Sequence, residues 1–467
     1  MTVLLQSNSD ANGQRDRYDI LTAAPAYTLE SRNQQLSIRG TPPLHEQTRL
    51  SAPHDSLDSF NSHLSALLAV TVDYSECHAL EIPFCGGFIG YCSYDLAREY
   101  IHVPTTAQVD IDIPAMQFSF FGWACIQDHQ RQKSWLVIHP LCDAMLQEQL
   151  VVLLTSPSTP LTIEASTPEQ QPVPATAPVS ATAPDYQLTK TQYLHDIERI
   201  HAYIQAGDCY QINIAQRVSM QTTSNGDAIY WKLRAVMPSP FCSLLPIAGT
   251  DSAIISFSPE RLLKLDRDGT VVTQPIKGTI KRGTTEREDQ LLASTLLADS
   301  KNHAENIMIV DLLRNDLGKV CQTGSVQVAQ LCELQTFANV HHLVSTITGT
   351  LEKSANGVDL LKACFPGGSI TGAPKIRAMQ IIEELEPSRR SIYCGSIAYF
   401  SADGTMDSNI LIRTLLLYKK PESAIKTLFC WGGGGIVADS ESETEYEESL
   451  TKIRSLLQAT QKTNSLQ

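Results

Sequence analysis

The chain has 467 residues, 42% of them apolar, and a formal net charge of −14. That length holds two or three average domains, or one large domain with an insertion. The acidic balance argues against a nucleic-acid surface and so excludes that class of partner. The longest apolar stretch near the start, Leu64 to Val72, is too short to span a bilayer, so no membrane partner is expected. No charged segment followed by an apolar one opens the chain, which predicts no signal peptide. The twelve cysteines are scattered without a Cys-x-x-Cys pair. They are expected to be reduced thiols of a cytoplasmic protein, and no Cys/His cluster has zinc-ligand spacing.

Residues 1–155 read as β-rich, with strand composition at Asp19 to Thr28, Phe118 to Gln127 and Ser134 to His139. The apolar, glycine-rich run Phe84 to Tyr91 predicts a strand approached closely by another backbone or a ligand. Residues 156–185 are rich in Pro, Ala, Ser and Thr and nearly free of large apolar groups, which predicts a flexible linker or exposed loop. The third region, residues 186–467, opens with a helix over Thr189 to Ala206, with Tyr193, Ile197, Ile200 and Ile204 on one stripe and Gly207 at its end. Strands are expected at Tyr210 to Met220, Phe241 to Leu245, Ala253 to Ser256, Leu262 to Leu265 and Val271 to Gln274. A helical region follows from Arg287 to Leu317, then strands at Val326 to Leu331 and His342 to Leu351. Pro374, at an N1-like position, opens a helix to Glu386. Strands at Gly395 to Phe400, Ile410 to Tyr418 and Lys426 to Trp431 precede a last helix from Ser442 to Ala459. The order is mixed and largely antiparallel, so the fold class is α+β with extensive sheets.

Five features carry chemistry. Lys277, between Ile276 and Gly278, is an amine in an apolar setting that can act as nucleophile or base, although a surface turn lysine would look the same. Glu305 lies on a helix opened by Asp299, with Ile307, Val310 and Leu313 on its inner face, and Glu445 and Glu448 share one face of the last helix. Carboxylates on two helices facing one cavity suit Mg²⁺, whereas Glu443 and Glu447 read as a solvated face. Trp431-Gly432-Gly433-Gly434-Gly435 at a strand end predicts a nest of backbone N–H groups for an anion, or a tightly packed turn. The loop from Phe365 to Lys375 leads into a helix N-terminus, which also favours an anion. Arg413 lies inside an apolar strand, where it needs either a carboxylate ligand or a structural salt bridge. Together these point to a small dicarboxylic substrate.

Several motifs resemble, in the same order, those of the chorismate-utilising enzymes. They are Pro275-Ile-Lys-Gly-Thr279, Ala304-Glu-Asn-Ile-Met-Ile-Val-Asp-Leu-Leu-Arg-Asn-Asp316, Gly367-Gly-Ser-Ile-Thr-Gly-Ala-Pro-Lys375, Tyr393-Cys-Gly395 and Gly433-Gly-Gly-Ile-Val-Ala-Asp-Ser440. Arg17-Tyr-Asp-Ile-Leu21 and Pro83-Phe-Cys-Gly-Gly-Phe-Ile-Gly90 extend the likeness to the N-terminal part. The resemblance is strongest to the folate-branch members, which make 4-amino-4-deoxychorismate for p-aminobenzoate; the large subunit of anthranilate synthase is the alternative. It implies a chorismate-binding fold: one large two-sheet antiparallel β-sandwich flanked by helices, with the Pro/Ala/Thr-rich stretch as an insertion. It implies Mg²⁺ held by Glu305 and Glu448 with Glu445 beside them. Arg413, Tyr393 and the Gly433, Gly434 and Gly435 backbone would hold the chorismate carboxylates, with Thr371 and His342 lining the pocket and Lys452 a weaker candidate. Lys277 and Glu260 would be catalytic, the lysine attacking the ring and the glutamate handling the proton; anthranilate synthases carry alanine where this chain has Lys277. Relatives that activate water use a base lysine where this chain has Gln211, and Asn306 stands where anthranilate synthases usually have histidine. No Gly-x-Cys-x-Gly elbow is present, so a separate glutamine amidotransferase partner is implied to supply ammonia. Ser7, Arg17, Tyr18, Pro240, Phe241 and Cys242 resemble the tryptophan pocket of the relatives.

Overall fold

Two antiparallel sheets organise the chain in a computed structural model that describes residues 1–7, 17–43, 55–155, 179–337 and 340–461. Each is a path of ten strands with an eleventh off the path, Asp185–Tyr186 on Gln211–Thr222 in the first and Gln327–Thr336 on Val340–Thr350 in the second. The first sheet runs, edge to edge, through Gly372–Ala373, Gln211–Thr222, Lys426–Ile436, Thr414–Tyr418, Ala253–Ser258, Phe241–Pro246, Thr2–Gln6, Tyr18–Ala23, Trp123–Asp128 and Lys133–Ile138. The second runs through Ile276–Lys281, Val340–Thr350, Thr270–Gln274, Arg261–Leu265, Met406–Asn409, Ser396–Ser401, Gly87–Cys92, Met116–Phe121, Tyr27–Arg32 and Gln35–Gly40. Both sheets take strands from either side of residues 156–178. Neither half could bury its apolar face without the other.

The sequence explains most of these elements directly. Phe88, Phe118 and Phe120 alternate with smaller residues and bury against Phe60, whose ring stacks on Phe118 at 4.3 Å. The Phe84 to Tyr91 run meets its expectation: a Cβ at Gly90 would lie 1.9 Å from the Gln117 carbonyl oxygen, so only glycine admits the neighbouring strand. The helix after the expected linker spans Lys190–Gln205 and is closed by a capping box between Thr189 and Gln192. Tyr193, Ile197 and Ile200 are buried on it, as the stripe predicts.

Four local expectations are corrected. The Arg287 to Leu317 region is two helices, Glu286–Leu297 and Ser300–Leu317, because Asp299 caps the second by accepting from the Asn302 N–H. On that second helix Ile309, Val310 and Leu313 face the core, whereas Ile307 is exposed. The expected Ile410 to Tyr418 strand begins only at Thr414; residues 410–413 lie outside any strand, between Met406–Asn409 and Thr414–Tyr418, with Arg413 at φ 50°. Pro374 is the N-cap rather than the first helical residue of Lys375–Leu385. Of the expected linker, residues 156–178 lie outside the described residues. Its end is packed: Val179 is buried and Asp185–Tyr186 pairs with the Gln211–Thr222 strand. Among the described residues no helix is long and apolar enough to cross a membrane.

Candidate active site

Lys277 sits in the strand Ile276–Lys281, not in a surface turn. The register slips between Lys277 and Thr279, so Gly278 is an extra residue at φ 76°, a conformation that favours glycine. The bulge turns the lysine inward, leaving its side chain 13% exposed with Nζ 3.5 Å from Glu305 Oε2. Across the cleft, a Cβ on Gly435 would lie 3.2 Å from the same Nζ.

The glycine run is a correction to the nest reading. The strand Lys426–Ile436 carries straight through the four glycines, and Gly432 to Gly435 pair with Gln216 to Asn213. Neighbours crowd three of them, whereas a Cβ at Gly434 would meet only the Glu445 carboxylate at 3.3 Å and Lys452 Nζ at 3.6 Å. A Cβ at Gly432 would meet the Ser449 carbonyl at 2.4 Å, one at Gly433 the Ile214 carbonyl at 2.4 Å, and one at Gly435 the Gln211 amide nitrogen at 2.2 Å. On its other side this strand pairs with Thr414–Tyr418 only as far as Leu415 and Cys430. Among the described residues no strand pairs with the edge from Trp431 onward on the side away from Gln211–Thr222, so its backbone groups, apart from the Gly433 carbonyl that Lys452 takes, are left for a ligand.

Arg413 stands where the neighbouring strand breaks away. Among the described residues its guanidinium has no ion-pair partner, and burial alone pulls its pKa below the ordinary arginine value. The structural salt bridge is thus not formed, and a half-buried cation is left for an anion. Tyr393 is buried, its ring stacked on Trp431 at 5.9 Å and 4°. Burial holds its phenol well above the usual pKa, so it is a neutral donor. His342 lies on Val340–Thr350 opposite Thr279, with Nδ1 2.7 Å from the Thr279 hydroxyl. The Thr371 hydroxyl donates to the Gly367 carbonyl at 3.0 Å, closing its own loop.

Glu260 follows the Ala253–Ser258 strand and is buried. Desolvation pushes its carboxyl up to about 7, against the hydrogen bond from Ser369 and the charges of Lys277 and Lys452. The Ser369 hydroxyl reaches Glu260 Oε1 at 2.7 Å from the Phe365 to Lys375 loop. A Cβ at Gly368 would come within 2.5 Å of Leu312 of the Ser300–Leu317 helix, so this loop is clamped against the helix that carries Glu305. Sequence reasoning passed over Ser369; nothing in its spacing marks it out.

The three candidate metal carboxylates come from two helices. The donor set, three hard oxygen acids, fits Mg²⁺. Among the described residues no three such side chains converge at coordinating distance; each carboxylate is instead paired with a lysine. Glu305 faces Lys277, Glu445 Oε1 lies 3.0 Å from Lys301 Nζ, and Glu448 Oε1 lies 2.8 Å from Lys452 Nζ. Burial raises the Glu305 pKa, with repulsion from Glu445 adding to it while Lys277 and Lys301 oppose. The Glu448 side chain is 53% exposed; partial desolvation works against its ionisation, but Lys452, Lys277 and Lys301 outweigh it and hold its pKa low. Lys452 also donates to the Gly433 carbonyl at 2.9 Å, tying the last helix, Ser442–Thr460, to the glycine strand. Glu443 and Glu447 are exposed, as expected of a solvated face. Gln211 is fully buried, and both polar atoms of its side chain lack a partner among the described residues. Lys301 was missed as well, although its place four residues before Glu305 on one helix is a readable signal.

Apart from this site, a cavity of about 720 Å³ brings together Ser7, Arg17, Tyr18, Pro240, Phe241 and Cys242. Arg261 and Ile276 also line it, each the chain neighbour of a residue of the first site, Glu260 and Lys277. The two sites therefore lie back to back on alternating residues.

The chain matches the chorismate binding enzyme family over residues 10–458. It is 39% identical over 456 residues to aminodeoxychorismate synthase component 1 of Salmonella typhimurium, covering 97% of this chain and 92% of that one. It is 34% identical over 466 residues to anthranilate synthase component 1 of Mycolicibacterium smegmatis, covering 98% and 85%. The crystal structure of anthranilate synthase component I from Streptococcus pneumoniae TIGR4 superposes with a TM-score of 0.78 at 31% identity, over 94% of this chain and 92% of that one. A cleft with an inward lysine, an open glycine edge and an unpaired arginine thus stands inside a match that covers nearly the whole chain: the protein belongs to the chorismate binding enzyme family.

Proposed function

We propose that the chain converts chorismate and ammonia to 4-amino-4-deoxychorismate, on the route to p-aminobenzoate and folate. The observation that carries this is Lys277, bulged out of its strand into the cleft between Glu305 and Gly435. The curated relatives named aminodeoxychorismate synthase component 1, at 37% to 39% identity over nearly the full length, support the same reading.

In this reading the open edge of the glycine strand, Arg413 and Tyr393 hold the two carboxylates, and Thr371 and His342 line the wall. Glu305, Glu445 and Glu448 would hold Mg²⁺, which supplies charge that neutralises the ring carboxylate and makes the ring more electrophilic. Glu260, protonated through burial, gives its proton to the departing C4 hydroxyl, which leaves as water. The Lys277 amine, in its neutral form, bonds to C2 as both ring double bonds shift, C1=C2 to C1=C6 and C5=C6 to C4=C5, and the C4–O bond breaks. Ammonia then bonds to C4 and loses a proton, both double bonds shift back, and the C2–Nζ bond breaks to free the lysine as the neutral amine. Two easier displacements replace one hard one.

The ammonia comes from glutamine through a separate amidotransferase subunit; the relatives' name, component 1, supports a multi-part assembly. We place the reaction in the cytoplasm, in keeping with twelve cysteines scattered without a Cys-x-x-Cys pair. We assign the 720 Å³ cavity to tryptophan, which a thermal-shift titration with that amino acid checks: no stabilisation removes the assignment. Incubation with chorismate, Mg²⁺ and ammonium tests the main reading. The expected product is 4-amino-4-deoxychorismate; fluorescent anthranilate with released pyruvate would overturn it in favour of anthranilate synthesis.

A further inference from the structure

Each carboxylate proposed to hold the divalent cation already faces an ammonium group. Two of the three lysines have further work. Lys277 is the proposed nucleophile, and Lys452 also holds the Gly433 carbonyl. Lys301 has no such second task. It projects from the Ser300–Leu317 helix one turn before Glu305, and its Nζ reaches Glu445 Oε1 at 3.0 Å and the Ser440 hydroxyl at 3.4 Å. The same hydroxyl donates to Glu445 Oε1 at 2.7 Å. The Glu445 side chain is 5% exposed, whereas that of Lys301 is 37% exposed.

A carboxylate buried that deeply is costly without a counter-charge. Lys301 supplies one, and its flexible stem opens to solvent, so the ammonium can withdraw without unfolding anything. The charge count points the same way. With nothing bound and the three lysines charged, Glu305, Glu445 and Glu448 against Lys277, Lys301 and Lys452 sum to zero, so the resting cluster has no net negative charge to draw in a lone doubly charged cation. A dicarboxylate entering with the cation offsets its two charges.

We propose that Lys301 is a tethered counter-ion of Glu445 that a divalent cation must displace, so that the cation binds weakly by itself and tightly together with the dicarboxylate substrate. The inference rests on the cation reading of the three glutamates. Lys301 is a positioning residue here: it touches neither substrate nor reacting atoms.

The test is a titration of the full-length protein with Mn²⁺, followed by loss of the free-ion electron paramagnetic resonance signal, with and without chorismate and with no ammonia source. In the absence of chorismate, Lys301→Met is expected to bind Mn²⁺ about tenfold more tightly than the unaltered protein. Lys301→Arg, which keeps the charge, is expected to bind as the unaltered protein does. Chorismate is expected to strengthen Mn²⁺ binding, more in the unaltered protein than in Lys301→Met, and Mn²⁺ to strengthen chorismate binding by the same factor. Lys301→Gln repeats the measurement if the Met variant unfolds. Equal or weaker binding by the neutral variants overturns the counter-ion role while leaving the cation site standing. Unchanged Mn²⁺ binding in Glu305→Gln and Glu445→Gln with chorismate present, or no Mn²⁺ binding in any form, overturns the cation reading and the inference with it.

Discussion

Lys277 and Glu260 are reactive for opposite physical reasons. The lysine is aimed by a one-residue bulge, whereas the glutamate is made a usable acid by burial. Lys277→Ala is expected to lower turnover by about a hundredfold or more, as loss of a group at the reacting atoms does, and to abolish any chorismate adduct found at Lys277 by mass spectrometry of the quenched enzyme. Unchanged turnover would remove the lysine from the chemistry. Glu260 must be protonated to act as an acid, so kcat/KM is expected to fall as pH rises through the region near 7. The Ser369 hydroxyl stabilises the charged carboxylate, and Ser369→Ala should move that falling limb to higher pH. A limb at the same pH with only a lower plateau would make Ser369 merely structural. At this scale the sequence shows Lys277, Glu305 and Arg413 as polar residues in apolar company. It does not show Ser369, because a serine in a glycine-rich loop looks the same whether its hydroxyl meets water or a buried carboxyl.

The strand Lys426–Ile436 makes one wall of the site from backbone alone. Its glycines differ in what crowds them, and that difference predicts different variants. Gly435→Ala places a methyl against the end of the Gln211 side chain, which can swing away. The expected result is a raised KM for chorismate with little change in the denaturation midpoint. Gly432→Ala drives a methyl into the Ser449 carbonyl, a backbone group that cannot yield without moving the last helix. That variant is expected to lose about 1–3 kcal/mol of stability by urea unfolding; equal stability of the two would refute this distinction. The run is visible in the sequence, but its conformation is an extended strand rather than a loop. Consecutive glycines suggest a looped nest, and only the partner strand Gln211–Thr222 shows that close packing holds them extended. The break before Arg413 was hidden for a related reason. Ile410 to Tyr418 is apolar enough to be one strand, and a single residue at positive φ ends the pairing.

Across the whole molecule the chain before residue 156 and the chain after 178 share both sheets. Phe241–Pro246 pairs with Thr2–Gln6, and Ser396–Ser401 pairs with Gly87–Cys92. Fragments 1–155 and 179–467 expressed apart are therefore expected to stay unfolded, and to recover cooperative unfolding and chorismate turnover only when produced together. A fragment with its own sharp thermal transition would contradict this. The α+β class and its antiparallel pairing were legible from strand spacing and the lack of a repeating βαβ order. The order of strands was not, because half of the strand pairs join strands that are not consecutive in the chain, and only long-range packing selects those.

The back-to-back placement of the cavity and the candidate active site has a pharmacological consequence. Arg261 and Ile276 line one, and the adjoining Glu260 and Lys277 serve the other. Neighbouring residues are about 3.8 Å apart along the chain. A compound that spreads or tilts these two strands from the 720 Å³ side would disturb both reactive groups without resembling chorismate or competing with it. Its selectivity would be set by residues that take no part in the reaction, such as Ser7, Arg17 and Phe241, and which are therefore freer to differ from one relative to the next.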